Sequence, residues 1–238
     1  MGRLDPLLDT IIEAGERFRK RIDDLKSFLA FTSSSAAASK TWASSSRDAR
    51  ALSLICTAAE LEALTKTVVQ ESHEAFNSER IAIHRLVPSV RQLVAHATFE
   101  SLRELQDHAK LWDQRSFATT LDSCQELAQF PVERRRAQPP LDGKTLKPEH
   151  YYRLWSIYTL PGEPFPVASW TGSLLKLSSA RNDLAHANLP YMEIFQQAGR
   201  GPTDVENYID DVAAFTEHFV STWYEYIDES KFLALTTP

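Results

Sequence analysis

Three side chains in the segment SSARNDLAHANLP, residues 178–190, have the chemistry to act on a phosphodiester. Arg181 can hold a phosphate oxygen with paired donors, and the imidazole of His186 can take or give a proton near neutral pH. Asn182 lies four residues before His186, so both fall on one helix face, and its amide can orient either partner. These groups suffice to cleave RNA without a metal, because the 2′-hydroxyl of the substrate can serve as the nucleophile.

The same residues also fit a structural role. Arg181 falls on an apolar stripe whose other members are Trp170, Leu174, Leu177 and Leu184. A cation on such a stripe is costly unless an opposite charge compensates it. The alternative is therefore an ion pair between Arg181 and a buried carboxylate, with His186 near the negative end of the helix dipole.

Apolar residues recur with helical spacing along most of the chain, and no segment alternates with the period of two that strands show. The pattern predicts helices over residues 4–31, 48–77, 90–111, 116–129, 148–158 and 167–187, and a last helix that Thr203 or Asp204 caps and that runs through Tyr226. Three predicted apolar faces stand out: Leu8, Ile11, Ile12, Phe18, Ile22, Leu25 and Leu29; Leu54, Ile55, Ala58, Leu61, Thr65, Val68 and Val69; and Val205, Ile209, Val212, Phe215, Phe219, Trp223 and Ile227.

Two segments between these helices differ in composition. The Ser/Ala-rich stretch TSSSAAASKTWASSS, residues 32–46, predicts a flexible connection after the first helix. Residues 131–166 hold most of the twelve prolines and predict an extended excursion with one short helix, and residues 188–204 predict a loop. The sequence therefore predicts an all-α, up-and-down helical bundle that forms one domain over residues 1–238, with a proline-rich insertion at 131–166 and an N-terminal helix and loop at 1–46.

Composition narrows the class of protein. Hydrophobic residues make up 43% of the 238 residues, and no apolar run approaches the ~20 residues of a membrane-spanning helix. The N-terminus lacks the pattern of a secretory signal, and Cys56 and Cys124 both lie in apolar settings that favour buried, reduced thiols, so we expect a cytoplasmic protein. The net charge of −6 argues against binding nucleic acid through overall charge, although Arg134–Arg136 could contact RNA locally.

Other groups with chemical potential favour structural roles. His96, Glu100, Glu104 and His108 recur every four residues, but this spacing drifts around a helix and favours a solvated face over a metal site. Arg91 and His96 repeat the spacing of Arg181 and His186, and we interpret His96 as a packed or partly exposed histidine rather than part of a second active site. Tyr151, Tyr152 and Trp155 could stack on bases, but they fit better as a cover over apolar surface. No cofactor or metal is predicted.

The stretch LLKLSSARNDLAHANL resembles the motif helix of the HEPN superfamily, whose signature is R-x4–6-H with Asn after the Arg and a small residue before the His. Arg181, Asn182, Ala185 and His186 match that signature one by one. The stretch LICTAAELEALTKTVV resembles the early helix of the RiboL-PSP-HEPN branch. Glu62 is the position that matches the acidic residue of that helix, and Glu60 is the second choice.

This resemblance implies a metal-independent endoribonuclease, acting as a toxin or defence effector on RNA, in a homodimer whose motifs face each other at the interface. It implies that His186 is the general base or acid, that Arg181 holds the scissile phosphate, that Asn182 orders the pair, and that Glu62 positions Arg181. Because some family members have lost activity, the alternative is a non-catalytic HEPN-like module that binds a protein partner, such as an antitoxin or another component of a defence system.

Overall fold

The computed structural model describes residues 4–36, 40–102, 108–133, 137–186 and 201–234. Within these ranges it contains eight α-helices and no β-strand, so the predicted all-α class is confirmed. The helices are α1 (Asp5–Ala36), α2 (Lys40–Glu79), α3 (Pro88–Val94), α4 (His96–Leu102), α5 (His108–Thr119), α6 (Pro148–Tyr158), α7 (Ala168–His186) and α8 (Pro202–Asp228).

The four longest helices form a bundle in which α1 packs on α2 and α8, and α7 packs on the other side of the same two helices. Consecutive members of this set run in alternate directions, as an up-and-down bundle requires. The pairs Arg19–Glu217 and Lys26–Asp210 show that α1 is antiparallel to α8. The contacts of Ser173 with Asp211 and of Trp170 with His218 show the same for α7 and α8. The shorter helices α3 to α6 lie between the second and third long helices in the chain.

The Ser/Ala-rich stretch at 32–46 is helical where the structure describes it, so the predicted flexible connection is wrong there. Helix α1 continues through Ala36 and α2 begins at Lys40, while residues 37–39 lie outside the described residues. Alanine favours helix, and the serine and threonine hydroxyls bond to carbonyls of the preceding turn instead of disrupting it. Thr32 donates to the Leu29 carbonyl at 3.0 Å, and Ser35 donates to the Phe31 carbonyl at 2.9 Å.

The two helices predicted between residues 90 and 129 have different boundaries in the structure. The first of them begins at Pro88 and breaks at Ala95, and residues 103–107 lie outside the described part. The second ends at Thr119 rather than 129, and one 3-10 turn follows at Leu121–Ser123. Backbone pairing explains the early end, because the extended residues after this turn exchange hydrogen bonds with residues 81–84. A helix through 129 would lose these bonds.

The short helix predicted at 148–158 is confirmed as α6, and it belongs to the bundle core. Tyr151, Leu154 and Tyr158 are fully buried. The Tyr151 ring meets the Phe215 ring of α8 edge-on at 4.6 Å, and Tyr158 lies at the same centroid distance from Trp223. The proline-rich segment therefore supplies part of the core and is not an appendage to it.

Most of the predicted apolar faces are buried. All seven residues predicted for the last helix are buried in α8. Two predicted members of the other faces are wrong: Ile12 is 41% exposed and Ile55 is 37% exposed, because each lies at the edge of a wide apolar face. The last helix begins after Gly201 rather than at Thr203 or Asp204, and the Asp204 carboxylate accepts the Gly201 backbone N–H at 2.9 Å.

Both cysteines are free thiols, but they are half-buried rather than buried, and Cys124 lies after the 3-10 turn instead of in a helix. Burial raises the pKa of the Cys56 thiol, which keeps it protonated near neutral pH. None of the described helices combines the length and the apolar character needed to cross a lipid bilayer. Most of the loop predicted over 188–204 falls in residues 187–200, outside the described residues.

Candidate functional site

Helix α7 brings Arg181 and Asn182 to the edge of the bundle. The helix buries Leu174, Leu177 and Ala180 against its neighbours, and this buried stripe fixes its rotation. Arg181 and Asn182 follow directly and are half-buried. Their polar ends therefore lie at the boundary between the core and solvent, where a ligand can reach them.

The side-chain amide of Asn182 is held from two sides. The Thr145 hydroxyl donates to its Oδ1 at 2.8 Å, and a guanidinium nitrogen of Arg181 donates to the same oxygen at 3.4 Å. Because the amide oxygen receives both donors, the amide NH2 group is directed away from Thr145 and Arg181. The site thus presents a guanidinium and an amide donor side by side.

A cleft of about 670 Å³ opens beside these two residues. One wall is α7, and the other consists of residues 142–147 and the first turns of α6. The charged side chains of the lining are Lys144, Lys147, Arg153 and Arg181, with Asp142 and Glu149. Cations outnumber carboxylates here although the whole chain carries a net charge of −6, so the cleft is a local basic site on an acidic protein.

The loop at 142–147 is fixed to α6 by a histidine. The Lys147 backbone N–H donates to Nδ1 of His150 at 3.1 Å, which leaves Nε2 to donate to the Asp142 carboxylate at 3.1 Å. Burial acts to raise the pKa of Asp142, but the Lys144 backbone N–H and His150 together bring it below its ordinary value. The turn passes through Gly143 in the left-handed region at φ 73°, where a Cβ would lie 3.1 Å from that of Ala137.

Glu62 lies on α2 behind this wall, in a small space that it shares with Ser178 and Leu146. Its Oε1 is buried without a hydrogen-bond partner among the described residues. Burial raises the pKa of the Glu62 carboxyl, while the charge of Arg181, a backbone hydrogen bond from Leu146 and the charge of His150 act in the opposite direction. The charge of Arg181 therefore reaches the Glu62 carboxyl without a hydrogen bond between the two side chains.

We expect Glu62→Gln to stabilise the fold at pH 8. A carboxyl whose pKa is raised on folding opposes folding once it is ionised, so its cost is absent below the unfolded pKa and grows as pH rises through the folded pKa. The variant should therefore melt above wild type at pH 8 and together with it near pH 4, in thermal melts followed by circular dichroism. A variant that melts below wild type at pH 8 contradicts this account.

The alternative of a structural ion pair finds no partner carboxylate for Arg181 among the described residues. The only hydrogen bond of its guanidinium within that part of the chain goes to Asn182. Glu60, the second choice for the acidic residue, forms an ion pair with Arg21 of α1. Among the described residues the buried arginine is instead Arg91, which binds the carbonyls of Leu86 and His84 and the carboxylate of Asp122.

Where the structure describes them, the other groups with chemical potential that were named from the sequence do not line the cleft. The helical break at Ala95 separates Arg91 from His96, so this second R-x4-H pair does not lie on one helix. Tyr151 and Trp155 are buried, whereas Tyr152 is 53% exposed. No cluster suited to a metal ion occurs in the described residues, while Glu104 and the side chain of His108 lie outside them.

Two further predictions fall outside the described part of the chain. Helix α7 ends at His186, but the side chain of His186 is not among the described ones. Arg134–Arg136 also lie outside the described residues.

Sequence reasoning missed Thr145 and three of the four cations of the cleft, Lys144, Lys147 and Arg153. Lys144 and Lys147 flank Thr145 in the segment DGKTLKPEH, and the Asp-Gly pair there signals a turn. A turn that carries two lysines ahead of a short helix was therefore a visible signal. Its position opposite Asn182 depends on how α6 packs, which no local pattern reveals.

Comparisons with known proteins add no relative: no family model, no curated protein and no solved structure matches this chain.

Proposed function

We propose that this protein is a metal-independent endoribonuclease of the HEPN type, which cleaves RNA through the 2′-hydroxyl of the substrate. The observation that carries the proposal is the placement of Arg181 and Asn182, the first half of an intact R-N-x-x-x-H motif, at the rim of a basic cleft. A guanidinium without a carboxylate partner among the described residues is available for a phosphate.

Each residue has a role in the proposed reaction. Arg181 holds the scissile phosphate and stabilises the negative charge that develops on it in the transition state. His186 takes the proton of the 2′-hydroxyl or gives one to the leaving 5′-oxygen. The oxygen of the 2′-hydroxyl then bonds to phosphorus as the bond to the 5′-oxygen breaks, which leaves a 2′,3′-cyclic phosphate. Asn182 orders the pair, and Glu62 positions Arg181 through its charge.

The proposal includes a homodimer in which two R-x4-H motifs face one cleft, with an antitoxin or another defence-system protein as the partner that restrains it. We expect twice the monomer mass in multi-angle light scattering. A monomer that cleaves RNA would contradict the dimeric arrangement.

The experiment that tests the function is an assay of the pure protein on RNA in EDTA. We expect it to cut an RNA oligonucleotide and to leave the DNA oligonucleotide of the same sequence intact, because DNA lacks the 2′-hydroxyl. Cutting of both oligonucleotides, or cutting only after a divalent metal is added, contradicts the proposal.

Thr145 is proposed as a positioning residue for Asn182. Thr145→Val keeps the shape of the side chain but removes the 2.8 Å hydrogen bond to Asn182, and we expect kcat to fall about tenfold, the equivalent of one hydrogen bond. KM should change little. Thr145→Ser retains the hydroxyl and should restore most of kcat. A valine variant with wild-type kcat, or a serine variant as slow as the valine one, contradicts this role.

A second candidate function is a non-catalytic module that binds a protein partner. It is favoured by four exposed apolar side chains on the α1–α2 hairpin, Phe28, Phe31, Leu52 and Ile55, of which Phe31 is 63% exposed. If neither wild type nor His186→Ala cuts RNA, and both are equally harmless when expressed, this candidate replaces the enzyme.

A further inference from the structure

We propose that the loop at 142–147 and helix α6 form a binding groove for the phosphate backbone of single-stranded RNA, and that this groove recognises RNA without reading its bases. The proposal deepens the proposed function, on which its choice of ligand rests. It assigns to the proline-rich segment, for which the HEPN resemblance offers no counterpart, the task of holding the strand beside Arg181.

The cations of the groove are available for a ligand. Among the described residues, neither Lys144, Lys147 nor Arg181 has a carboxylate within ion-pair distance, and the Arg153 guanidinium donates only to the Pro140 carbonyl, at 3.4 Å. Some surface cations elsewhere on the bundle are paired, as Lys26 is with Asp210 at 2.6 Å. Four closely placed cations that lack such partners are the arrangement that binds a polyanion.

Hydrogen bonds hold the loop that forms one wall of the groove in a fixed conformation. The contacts of His150 with Lys147 and Asp142 fix both ends of the lysine-bearing loop, and the buried Thr145 hydroxyl ties its middle to Asn182 of α7. The backbone that carries the two lysines is therefore held in place relative to Arg181. Such preorganisation lowers the entropic cost of binding.

The composition of the lining indicates how the strand is recognised. The volume of about 670 Å³ lies in the range of ligand clefts, but no aromatic side chain of Phe, Tyr or Trp lines it among the described residues. Bases stack on such rings in proteins that grip single strands by their bases. A cleft with cations and without such rings contacts phosphates, which carry no sequence information.

The test is binding of a fluorescent 2′-O-methyl RNA of about 12 nucleotides, which cannot be cleaved through a 2′-hydroxyl. The full chain is titrated over a series of salt concentrations in EDTA, with fluorescence anisotropy as the readout. The groove variant is Lys144→Gln/Lys147→Gln/Arg153→Gln. The matched control removes the same number of charges from exposed positions outside the groove, as Arg17→Gln/Lys20→Gln/Arg80→Gln.

We expect the groove variant to bind the RNA at least about tenfold more weakly than wild type at low salt. The slope of log binding constant against log salt concentration should be shallower by about 2, because each of the three lost phosphate contacts contributes about 0.7. The control should bind as wild type does, and strands of uridine and adenosine should bind alike. Equal binding by the groove variant and wild type overturns the proposal. A competition experiment gives a second way to overturn the proposal. If polyglutamate displaces the RNA at an equal concentration of charge, the groove is a site for acidic peptides.

The two proposals fail in different ways. If wild type binds the uncleavable strand through these cations but never cuts RNA, the groove stands and the endoribonuclease is wrong. If wild type cuts RNA and the groove variant binds and cuts equally well, the endoribonuclease stands and the groove is wrong. Should the triple variant melt early, the pair Lys144→Gln/Lys147→Gln gives the same comparison with less perturbation, because Lys144 is exposed and Lys147 half-buried.

Discussion

Replacing Arg181 or His186 with alanine is expected to lower the rate of RNA cleavage by about 10²–10³-fold, the range found when one transition-state donor or one general acid–base group is removed. Arg181→Lys keeps the charge but not the paired donors, so we expect an intermediate rate. The measurement is the initial rate on an RNA oligonucleotide in EDTA, at equal concentrations of folded protein.

The second R-x4-H pair of the chain offers the matched control. His96 has the same spacing from Arg91, but a helical break lies between them and neither residue lines the cleft. We therefore expect His96→Ala to cut RNA at the wild-type rate. A loss in His96→Ala equal to that in His186→Ala would contradict the assignment, since both losses would then reflect damage to the fold.

Thermal stability separates a catalytic Arg181 from a structural one. The guanidinium is half-buried, with no partner carboxylate among the described residues, so its removal should change the free energy of unfolding by only about 0.5 kcal/mol. Breaking a buried ion pair by removing one partner costs roughly 3–5 kcal/mol. A loss of that size in Arg181→Ala would restore the structural alternative.

The second large effect is a loss of stability in acid that one buried histidine causes. His73 of α2 is fully buried, with Nδ1 2.7 Å from the Pro131 carbonyl oxygen and Nε2 2.6 Å from the Tyr158 hydroxyl. Burial lowers the pKa of His73 to about 4, and the nearby charge of His96 acts in the same direction. The hydrogen bond to the Pro131 carbonyl acts in the opposite direction and only partly offsets them. The folded protein therefore holds this ring neutral.

The sign of the effect follows from proton binding. Between pH 6.5 and pH 4 the unfolded chain carries a proton on His73 and the folded chain does not, so stability falls as pH falls through this window. A shift of this size corresponds to about 3 kcal/mol between pH 7 and pH 4. The glutamine of His73→Gln does not titrate in this range. Between pH 7 and pH 4 the free energy of unfolding of this variant, measured by urea denaturation, should therefore fall by about 3 kcal/mol less than that of wild type.

His218→Gln is the control for the histidine effect, because His218 lies near the surface, where its Nε2 contacts the Glu163 carbonyl at 2.9 Å. Its loss of stability in acid should match that of wild type. If His73→Gln loses as much stability between pH 7 and pH 4 as wild type does, the ring is already protonated in the folded protein and the network is assigned wrongly.

The parts of the fold that the sequence predicted well are those where burial alone decides. The seven predicted positions of α8, from Val205 to Ile227, are all buried, because a long helix that crosses the whole bundle must repeat its apolar residues over many turns. Helix α6 begins and ends where predicted, since Pro148 opens it and Thr159 closes it in the left-handed conformation.

The parts that were predicted wrongly depend on contacts between distant segments. Residues 116–129 have a helical pattern, yet the backbone of Ala128 bonds to Ile81 instead. At 32–46 composition suggested a flexible connection, while packing of α1 on α2 keeps the described part helical. Tertiary contacts override local preference in both directions.

The predictions for the candidate site likewise divide into those that local sequence decides and those that depend on contacts between distant segments. The sequence predicted that Arg181 and Asn182 lie together near a helix end, because that statement follows from helical spacing. Glu62 was matched only through the HEPN resemblance. Thr145 and the lysines beside it were not predicted as part of the site. Their approach to Asn182 requires α6 to pack on α8 and α7, and that arrangement arises from buried rings such as Tyr151.

The central claim is tested most directly by the chemical ends of the RNA fragments that the pure protein produces in EDTA, identified by mass spectrometry. Attack by the 2′-hydroxyl predicts a 2′,3′-cyclic phosphate on one fragment and a 5′-hydroxyl on the other. Fragments with a 5′-phosphate and a 3′-hydroxyl would contradict the account, because water rather than the substrate would then be the nucleophile.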